Sequence, residues 1–299
     1  MITAKHLTKS FDGYNALNNI TLNIEEGAVL GLVGSNGSGK STLLRLIAGV
    51  YSPDEGIVGI NGENSFDNPK IKSQIIFLAD TPYFFSGSNL KEMANFYASM
   101  YSTFDYNMYN YLLSVFPLDE NKRISTFSKG MRRQASLICA LSAKPRYLLL
   151  DEAFDGLDVV MRRTLANLIF AAIEKENMTV VIASHNIREL EEVADHIALI
   201  HKGDIIKSGS IDDLCSNVHK VQAVFNDGFD EENLNGLQII KTEKTGSVYQ
   251  FIIRGEKEEI SQKINSLSPI FTEYIAPSLE EIFVYELEVA GYDVKNIEQ

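Results

Sequence analysis

The sequence predicts an α/β fold: a mainly parallel β-sheet flanked by helices, followed by a small α+β domain. Short apolar runs alternate with helical patterns as far as residue 212, which is typical of a parallel sheet. A glycine-rich stretch joins one of these runs to a helix, and the chain becomes more acidic beyond residue 213. We therefore expect one domain at 1–212 and a second, acidic domain at 213–299.

Short runs bounded by polar residues or glycine predict the strands of the first domain. The parallel strands are expected in AVLGLVG, SQIIFLA, RYLLLDEA, TVVIASH and HIALIHKG. The opening stretches MITAKHLTKSF and ALNNITLNI alternate apolar and polar positions, which indicates an antiparallel β subdomain. Residues 83–116 hold 11 of the 29 Phe and Tyr residues and have a helical pattern. They predict a helical subdomain over about 83–145.

The acidic domain also has recognisable elements. Strands are expected in KVQAVF, LQIIKTE and SVYQFIIRG, and a helix in EKEEISQKINSL. A last helix should begin at Ser278, because Glu281 follows it at the spacing of a capping box.

Composition excludes several classes of protein. The formal net charge is −13, and residues 213–299 carry 16 acidic against 7 basic residues. The sequence shows no basic stripe, so a nucleic-acid partner is not expected. Two cysteines, Cys139 and Cys215, are too few and too far apart to indicate disulfides or zinc. No apolar run reaches the roughly 18–20 residues of a membrane span, and the opening lacks a signal-peptide pattern. We expect a cytoplasmic protein.

The stretch GSNGSGKS, Gly34 to Ser41, fits the phosphate-binding pattern G-x-x-x-x-G-K-[ST]. Its bare amides would surround the phosphates of a nucleotide at a helix N-terminus. Lys40 would contact the β- and γ-phosphates, and the Ser41 hydroxyl would bind Mg²⁺. The predicted nucleotide-binding residues in this loop are Ser35, Asn36, Gly37, Ser38, Gly39, Lys40, Ser41 and Thr42.

An acidic pair ends the apolar run RYLLLDEA. The carboxyl ends of parallel strands meet near such a phosphate loop, so Asp151 is predicted to hold Mg²⁺. Glu152 would then polarise the water that attacks the γ-phosphate. The alternative is that this pair merely caps the following segment.

The stretch FSKGMRRQ, residues 127–134, precedes the helix QASLICALSA. Together with the phosphate loop, the acidic pair and IASHN at 182–186, it resembles the motif set of ATP-binding-cassette (ABC) proteins over residues 1 to about 212. The resemblance implies the ATPase subunit of a membrane transporter. It also implies a head-to-tail dimer that encloses two ATP molecules, with an identical or a different second cassette. The membrane permease would be a separate chain, and the subunit would lie at the inner face of the membrane.

The resemblance implies roles for individual residues. Phe11 stands where the family places an aromatic ring that stacks on adenine. Ser128 and Gly130 match residues that contact the γ-phosphate bound by the opposite subunit. Asp158 lies in the loop that reaches across the dimer. His185 matches the histidine that contacts the γ-phosphate, and we therefore predict that it acts with Glu152 in catalysis.

The sequence departs from the family pattern at three places. In the ABC family the stretch that corresponds to FSKGMRRQ is called the signature motif. Lys129 and Met131 replace a glycine and a glutamine of this motif, and Asp155 replaces a small hydroxyl residue. Asp80 stands after the strand IIFLA, where the family usually has glutamine. Asp80 could accept a hydrogen bond from a metal-bound water, so we group it with the metal site. Because aspartate is shorter and charged, the geometry around the γ-phosphate should differ.

The predicted function is ATP hydrolysis that powers an exporter of peptides or antimicrobial compounds. The ending APSLEEIFVYELEVAG resembles the tail of ATPase subunits in bacterial exporters, although it could equally be a solubilising or dimer-stabilising appendage. The alternatives are a soluble ABC ATPase acting on ribosomes or chromosomes, a P-loop kinase or GTPase, and a regulatory cassette with weak hydrolysis.

Overall fold

The computed structural model describes residues 1–226 and 229–292. The chain forms two compact units, Met1–Ile205 and Ile206–Gln299. The division falls seven residues before the boundary expected from the sequence. The predicted domains, 1–212 and 213–299, remain predictions about which parts fold independently.

The elements of the first unit alternate between strands and helices. In chain order they are β1 (Ile2–Phe11), β2 (Tyr14–Ile24), β3 (Val29–Val33), α1 (Lys40–Ile47), β4 (Glu55–Ile60), β5 (Glu63–Asn64), α2 (Pro69–Lys72), β6 (Ile75–Leu78), α3 (Leu90–Met100), α4 (Tyr106–Val115), a 3₁₀ turn (Ile124–Thr126), α5 (Lys129–Ser142), β7 (Tyr147–Asp151), α6 (Val159–Glu176), β8 (Thr179–Ser184), α7 (Ile187–Glu191), β9 (His196–His201) and β10 (Asp204–Ser210), which continues into the second unit.

The central sheet has the strand order β10-β9-β3-β8-β7-β6. The pairs β3–β9, β3–β8, β7–β8 and β6–β7 are all parallel, which confirms the five predicted strands. Strands β3, β7 and β8 are buried throughout, which explains their almost continuous apolar sequence. Val33 pairs with Ser184, and Asp151 with Ala183. The carboxyl ends of these three strands therefore lie together at one edge of the sheet.

The predicted antiparallel subdomain is also confirmed. Its sheet has the order β2-β1-β4-β5, with β1 antiparallel to both neighbours. The sequence did not indicate β4, because two glycines interrupt its apolar pattern. A Cβ atom at Gly56 would lie 2.2 Å from the backbone oxygen of His6. Glycine is required there because the two backbones approach closely.

Helices occupy the aromatic segment as predicted. Helix α3 begins with a capping box formed by Asn89 and Glu92, and Asp105 caps α4. Helix α5 begins after Ser128, whose Oγ accepts a hydrogen bond from the Met131 amide. Within residues 1–226 and 229–292, no helix is long and apolar enough to cross a bilayer.

The second unit is a four-stranded antiparallel sheet with helices. Its elements are α8 (Ile211–Ser216), β11 (Val218–Val224), a 3₁₀ turn (Glu231–Leu234), β12 (Gln238–Thr245), β13 (Val248–Arg254), α9 (Lys257–Ser266), β14 (Phe271–Ile275) and α10 (Leu279–Val289). The strand order is β12-β13-β11-β14. The predicted capping box of Ser278 and Glu281 starts α10. The sequence did not indicate the edge strand β14, which lacks a fully buried residue.

Each unit has its own hydrophobic core. Buried side chains of the second unit come from β11, β13 and α9, among them Val221, Phe251 and Ile260. The core of the first unit includes residues of β1 to β4, β6 to β9, α1 and α2. Since each unit is compact by itself, we expect the first unit to fold without the second.

We expect a chain that ends at Ser210 to fold and to bind ATP as the full chain does. This end keeps β10, the edge strand of the central sheet, and removes α8, which contacts α10. Calorimetry with ATP and a thermal melt of both chains would check this. Aggregation of the shortened chain, or a large loss of ATP affinity, would show that the predicted domain boundary is wrong.

Candidate functional site

The phosphate loop connects β3 to α1 at the carboxyl edge of the sheet. A Cβ atom at Gly34 would lie 2.2 Å from the Ile200 carbonyl, and Gly39 has φ +114° immediately before the helix. Only glycine fits these two positions comfortably. The Ser38 Oγ atom is buried without a hydrogen-bond partner among the described residues. Ser35, Asn36 and Gly37 are exposed, so the loop presents open backbone to a ligand.

Lys40 lies at the centre of the loop and is only 5% exposed. Its Nζ donates to the backbone oxygens of Gly34 at 2.6 Å and Ser35 at 3.1 Å. It also lies 3.7 Å from Glu152 Oε1. Burial lowers the pKa of Lys40, while the carboxylates of Glu152 and Asp151 oppose that shift. A bound polyphosphate would add negative charge beside this ammonium and favour its protonated form.

Ser41 and Asp151 meet as the sequence predicted. The Ser41 Oγ donates to Asp151 Oδ1 at 3.0 Å. Asp151 is almost completely buried, and this burial raises its pKa. A hydroxyl and a carboxylate are oxygen ligands of the kind that Mg²⁺ prefers. Among the described residues, no three His, Cys, Asp or Glu side chains cluster as metal ligands. A Mg²⁺ ion here would therefore need further oxygens from nucleotide phosphates and water.

Glu152 and His185 form the second predicted pair. Glu152 Oε2 lies 2.9 Å from His185 Nδ1, and the His185 backbone amide donates to the same oxygen at 3.4 Å. The Glu152 backbone has φ +52°, a left-handed conformation that is uncommon outside glycine. Its amide donates to the Ala183 carbonyl at 2.9 Å. The carboxylate consequently lies between the Lys40 ammonium and the His185 ring.

Asp80 is paired differently from the prediction, which groups it with the metal ligands Ser41 and Asp151. The structure instead places Asp80 Oδ1 3.0 Å from Arg133 Nη2, and the Asp80 backbone oxygen accepts from the same nitrogen at 2.7 Å. A carboxylate oxygen that already binds a guanidinium is less available to a cation. The structure thus brings Ser41 and Asp151 together but gives Asp80 another partner.

Sequence reasoning missed Arg133. This residue lies on α5 and is 2% exposed. Its spacing in the sequence could have indicated a buried position, because Arg133 lies four residues before Leu137 and seven before Ala140, both of which are buried. A helical face with that spacing points into the core, so a charged residue on it needs buried partners.

The signature segment lies at the surface. Ser128 and Lys129 are exposed at the start of α5, and a Cβ atom at Gly130 would be 3.1 Å from the Gly156 carbonyl. The Lys129 ammonium lies 2.6 Å from Asp155 Oδ2. Two of the departures from the family pattern thus form an ion pair. Met131, the other departure in this motif, is half-buried, and its backbone amide is the donor to Ser128.

Two further residues with predicted roles, Phe11 and Asp158, lie at the ends of secondary-structure elements. The Phe11 ring ends β1, is 39% exposed and makes an edge contact with Tyr51 at 5.4 Å between centroids. The Lys9 ammonium is 5.5 Å from the Phe11 ring centroid. Asp158 caps α6 by accepting a hydrogen bond from the Met161 amide. The Phe11 ring is therefore accessible, and its stacking on adenine stays a prediction.

These features define a P-loop nucleotide hydrolase with a surface signature segment, and comparison with known proteins agrees. The ABC transporter family model matches residues 17–155. YtrB, an ABC transporter ATP-binding protein of Bacillus subtilis, is 29% identical over 288 residues, covering 95% of this chain and 97% of YtrB. The bacitracin transport ATP-binding protein BcrA of Bacillus licheniformis is 30% identical over 72% of this chain and 71% of BcrA. The sulfate/thiosulfate import protein CysA of Mesostigma viride is 31% identical over 88% of this chain and 80% of CysA.

Solved structures share the fold. The ATP-binding subunit of an ABC transporter superposes with a TM-score of 0.66 at 26% identity, covering 72% of this chain and 91% of that one. A dimeric, post-hydrolysis cassette, MJ0796 with ADP and phosphate bound, gives a TM-score of 0.63 at 23% identity, over 71% and 99% of the two chains. The chain belongs to the ABC transporter ATP-binding family and is an ATP-binding, ATP-hydrolysing subunit of a transporter.

Proposed function

We propose that this chain dimerises when ATP binds and powers a separately encoded permease that exports peptides or antimicrobial compounds. The observation that carries the proposal is the meeting of Lys40, Glu152 and His185 at one edge of the sheet, beside Ser41 and Asp151. This arrangement brings together groups that can bind phosphate, accept a proton from water and hold a cation, which phosphoryl transfer to water requires.

Hydrolysis follows from these contacts. Lys40 and the loop amides hold the phosphates, and Ser41 and Asp151 would hold Mg²⁺, which neutralises charge on the phosphate oxygens. Glu152 accepts the proton of the attacking water. The His185 ring binds the other side of that carboxylate and would fix its direction; we propose that the ring also contacts the γ-phosphate.

Dimerisation is supported by the exposed start of α5. A helix of 14 residues presents its N-terminus at Ser128, and such an end attracts anions. In a head-to-tail dimer, Ser128 and Gly130 would meet the γ-phosphate held by the partner. The dimeric MJ0796 cassette, which shares this fold, is consistent with this arrangement. The partner is either a second copy of this chain or a different cassette.

The permease surface is proposed from the aromatic segment. A cavity of about 300 Å³ lies between the end of β6 and α3. We call it the aromatic groove; its ring side chains are Phe77, Tyr83, Phe85, Phe96, Tyr97 and Tyr101. Tyr83 is 79% exposed, and Phe85 and Phe96 are also accessible. An amphipathic cytoplasmic helix of the permease would bury these rings, and the subunit would then lie at the inner face of the cell membrane.

Export of peptides is supported by the BcrA similarity and by the resemblance of the C-terminal tail to exporter subunits. The chain is also similar to CysA, whose name indicates sulfate import, so import is the competing direction of transport. A second candidate is a regulatory cassette of a transporter, with weak hydrolysis. The replacement of the usual glutamine by Asp80 favours that candidate.

Reconstitution tests the proposed function. The chain is co-expressed with the permease encoded by a neighbouring reading frame, and ATP hydrolysis and peptide efflux are measured in vesicles. We expect hydrolysis to rise when the permease is present. Phe96→Glu should abolish this stimulation while keeping basal hydrolysis, and Tyr111→Glu, an exposed ring outside the aromatic groove, is the matched control. Stimulation with uptake instead of efflux would establish an importer, and permease binding without any rise in hydrolysis would favour the regulatory cassette.

A further inference from the structure

The Arg133 guanidinium joins three backbone positions at the carboxyl edge of the sheet. Nη1 donates to the carbonyls of Asp151 at 3.2 Å and Glu152 at 2.7 Å. Nη2 donates to the carbonyl and the carboxylate of Asp80 at 2.7 and 3.0 Å. One buried side chain of α5 therefore connects the segments that follow β6 and β7.

These contacts bear directly on the conformation of Glu152. Its φ of +52° is a costly conformation that persists only where neighbouring groups hold it. The Glu152 amide is held by the Ala183 carbonyl at 2.9 Å, and the Glu152 carbonyl is held by Arg133. With both peptide groups fixed, the side chain points to Lys40 and His185.

We propose that Arg133 is a positioning residue that holds Glu152 in its hydrolytic orientation, with Asp80 as the carboxylate partner of Arg133 rather than a metal ligand. This inference rests on the role of Glu152 given under the proposed function. It also gives α5 a second role, because the helix whose start carries Ser128 is linked through Arg133 to the Glu152 of the same subunit.

The chemistry of the contact suggests a graded set of substitutions. Lysine keeps the charge of Arg133, but a single ammonium cannot reproduce a planar fork that reaches several carbonyl and carboxylate oxygens. Methionine removes the charge and leaves the carbonyls unpaired. Asp80 is 52% exposed, so Asp80→Asn and Asp80→Ala should fold even if Arg133→Met does not.

The expected effect is on turnover and not on ATP binding. Arg133→Lys should lower kcat about 10–100-fold, because small displacements of a reacting group cost about that much. The KM for MgATP should stay within about threefold, since the phosphate loop is untouched. Asp80→Ala should lower kcat by about threefold to tenfold, and Asp80→Asn, which still accepts a hydrogen bond, should recover part of that loss.

The matched control is Arg146→Met. Arg146 precedes β7 at its amino end, and its Nη2 donates to both oxygens of the Glu26 carboxylate at 2.9 and 2.8 Å, so the variant loses a more exposed ion pair away from the site. Its kcat should equal that of the natural chain. Melting temperatures and ATP calorimetry are recorded for every variant.

Two results would overturn the inference: folded Arg133→Lys and Asp80→Ala variants with unchanged kcat, or a loss of ATP affinity that parallels the loss of turnover. Glu152→Gln is measured beside them. If Glu152→Gln hydrolyses ATP normally, the assigned role of Glu152 is wrong. If it is inactive while the Arg133 and Asp80 variants are normal, only the positioning role of Arg133 is wrong.

Discussion

Replacing Glu152 by glutamine is expected to lower ATP turnover by about 10²–10⁴-fold, the range for loss of a general base. Glutamine keeps the shape of the side chain, and its amide can still contact His185 at the position of Oε2. It cannot accept the proton of the attacking water. ATP affinity should change little, because the phosphates are held by the loop and Lys40, whose ammonium is 3.7 Å from the Glu152 carboxylate.

Phosphate release and ATP calorimetry measure the two quantities separately. Glu192→Gln is the matched control, since this exposed carboxylate follows α7 outside the site. It should have the turnover and affinity of the natural chain. Normal turnover of the Glu152 variant would show that another group activates the water.

Replacing Lys40 by alanine is expected to weaken ATP binding by at least about 100-fold. Each charge-assisted hydrogen bond contributes about 1.5–3 kcal/mol, and the ammonium is buried within the loop. Without it, the loop would meet the phosphates with amides alone, beside the carboxylates of Asp151 and Glu152.

Calorimetry with ATP checks this expectation. Lys70→Ala is a suitable control, because Lys70 is an exposed surface residue paired with Glu63 at 2.7 Å. The control should bind ATP as the natural chain does. Unchanged affinity of the Lys40→Ala chain would remove the assignment of this loop to phosphate binding.

Strand prediction succeeded where burial is complete. All five residues of β3 and of β7 are buried, so their apolar runs are visible in the sequence alone. Strands that were missed include β4, which contains two glycines, and β10 and β14, which are half-buried or exposed along their length. Their existence depends on neighbouring strands, which a single run of residues does not reveal.

The residues of the candidate site likewise divide into those that the sequence predicts and those that it does not. The loop from Gly34 to Ser41 is one continuous motif, and Asp151 ends one buried strand that Glu152 follows, so these groups could be predicted together. Arg133 could not, because its importance comes from contacts with segments 53 and 18 residues away along the chain.

The departures from the family pattern are also better understood in three dimensions. Lys129 and Asp155 looked like two unrelated substitutions in the sequence, yet they form one exposed ion pair at 2.6 Å. Asp80 likewise pairs with Arg133. Each of these two acidic residues thus has a basic partner on α5, and the two partners, Lys129 and Arg133, are four residues apart on that helix. The sequence alone does not reveal such pairs, because the paired residues are distant along the chain.

The most direct test of the account is the mass of the Glu152→Gln chain measured by light scattering. We expect a dimer with Mg-ATP and a monomer with ADP, because unhydrolysed ATP would hold the Ser128 end of one subunit against the phosphates of the other. Adding Ser128→Arg should abolish that dimer. A Glu152→Gln chain that stays monomeric with Mg-ATP, both alone and mixed with candidate second cassettes, would contradict the account, as would a dimer that Ser128→Arg leaves intact.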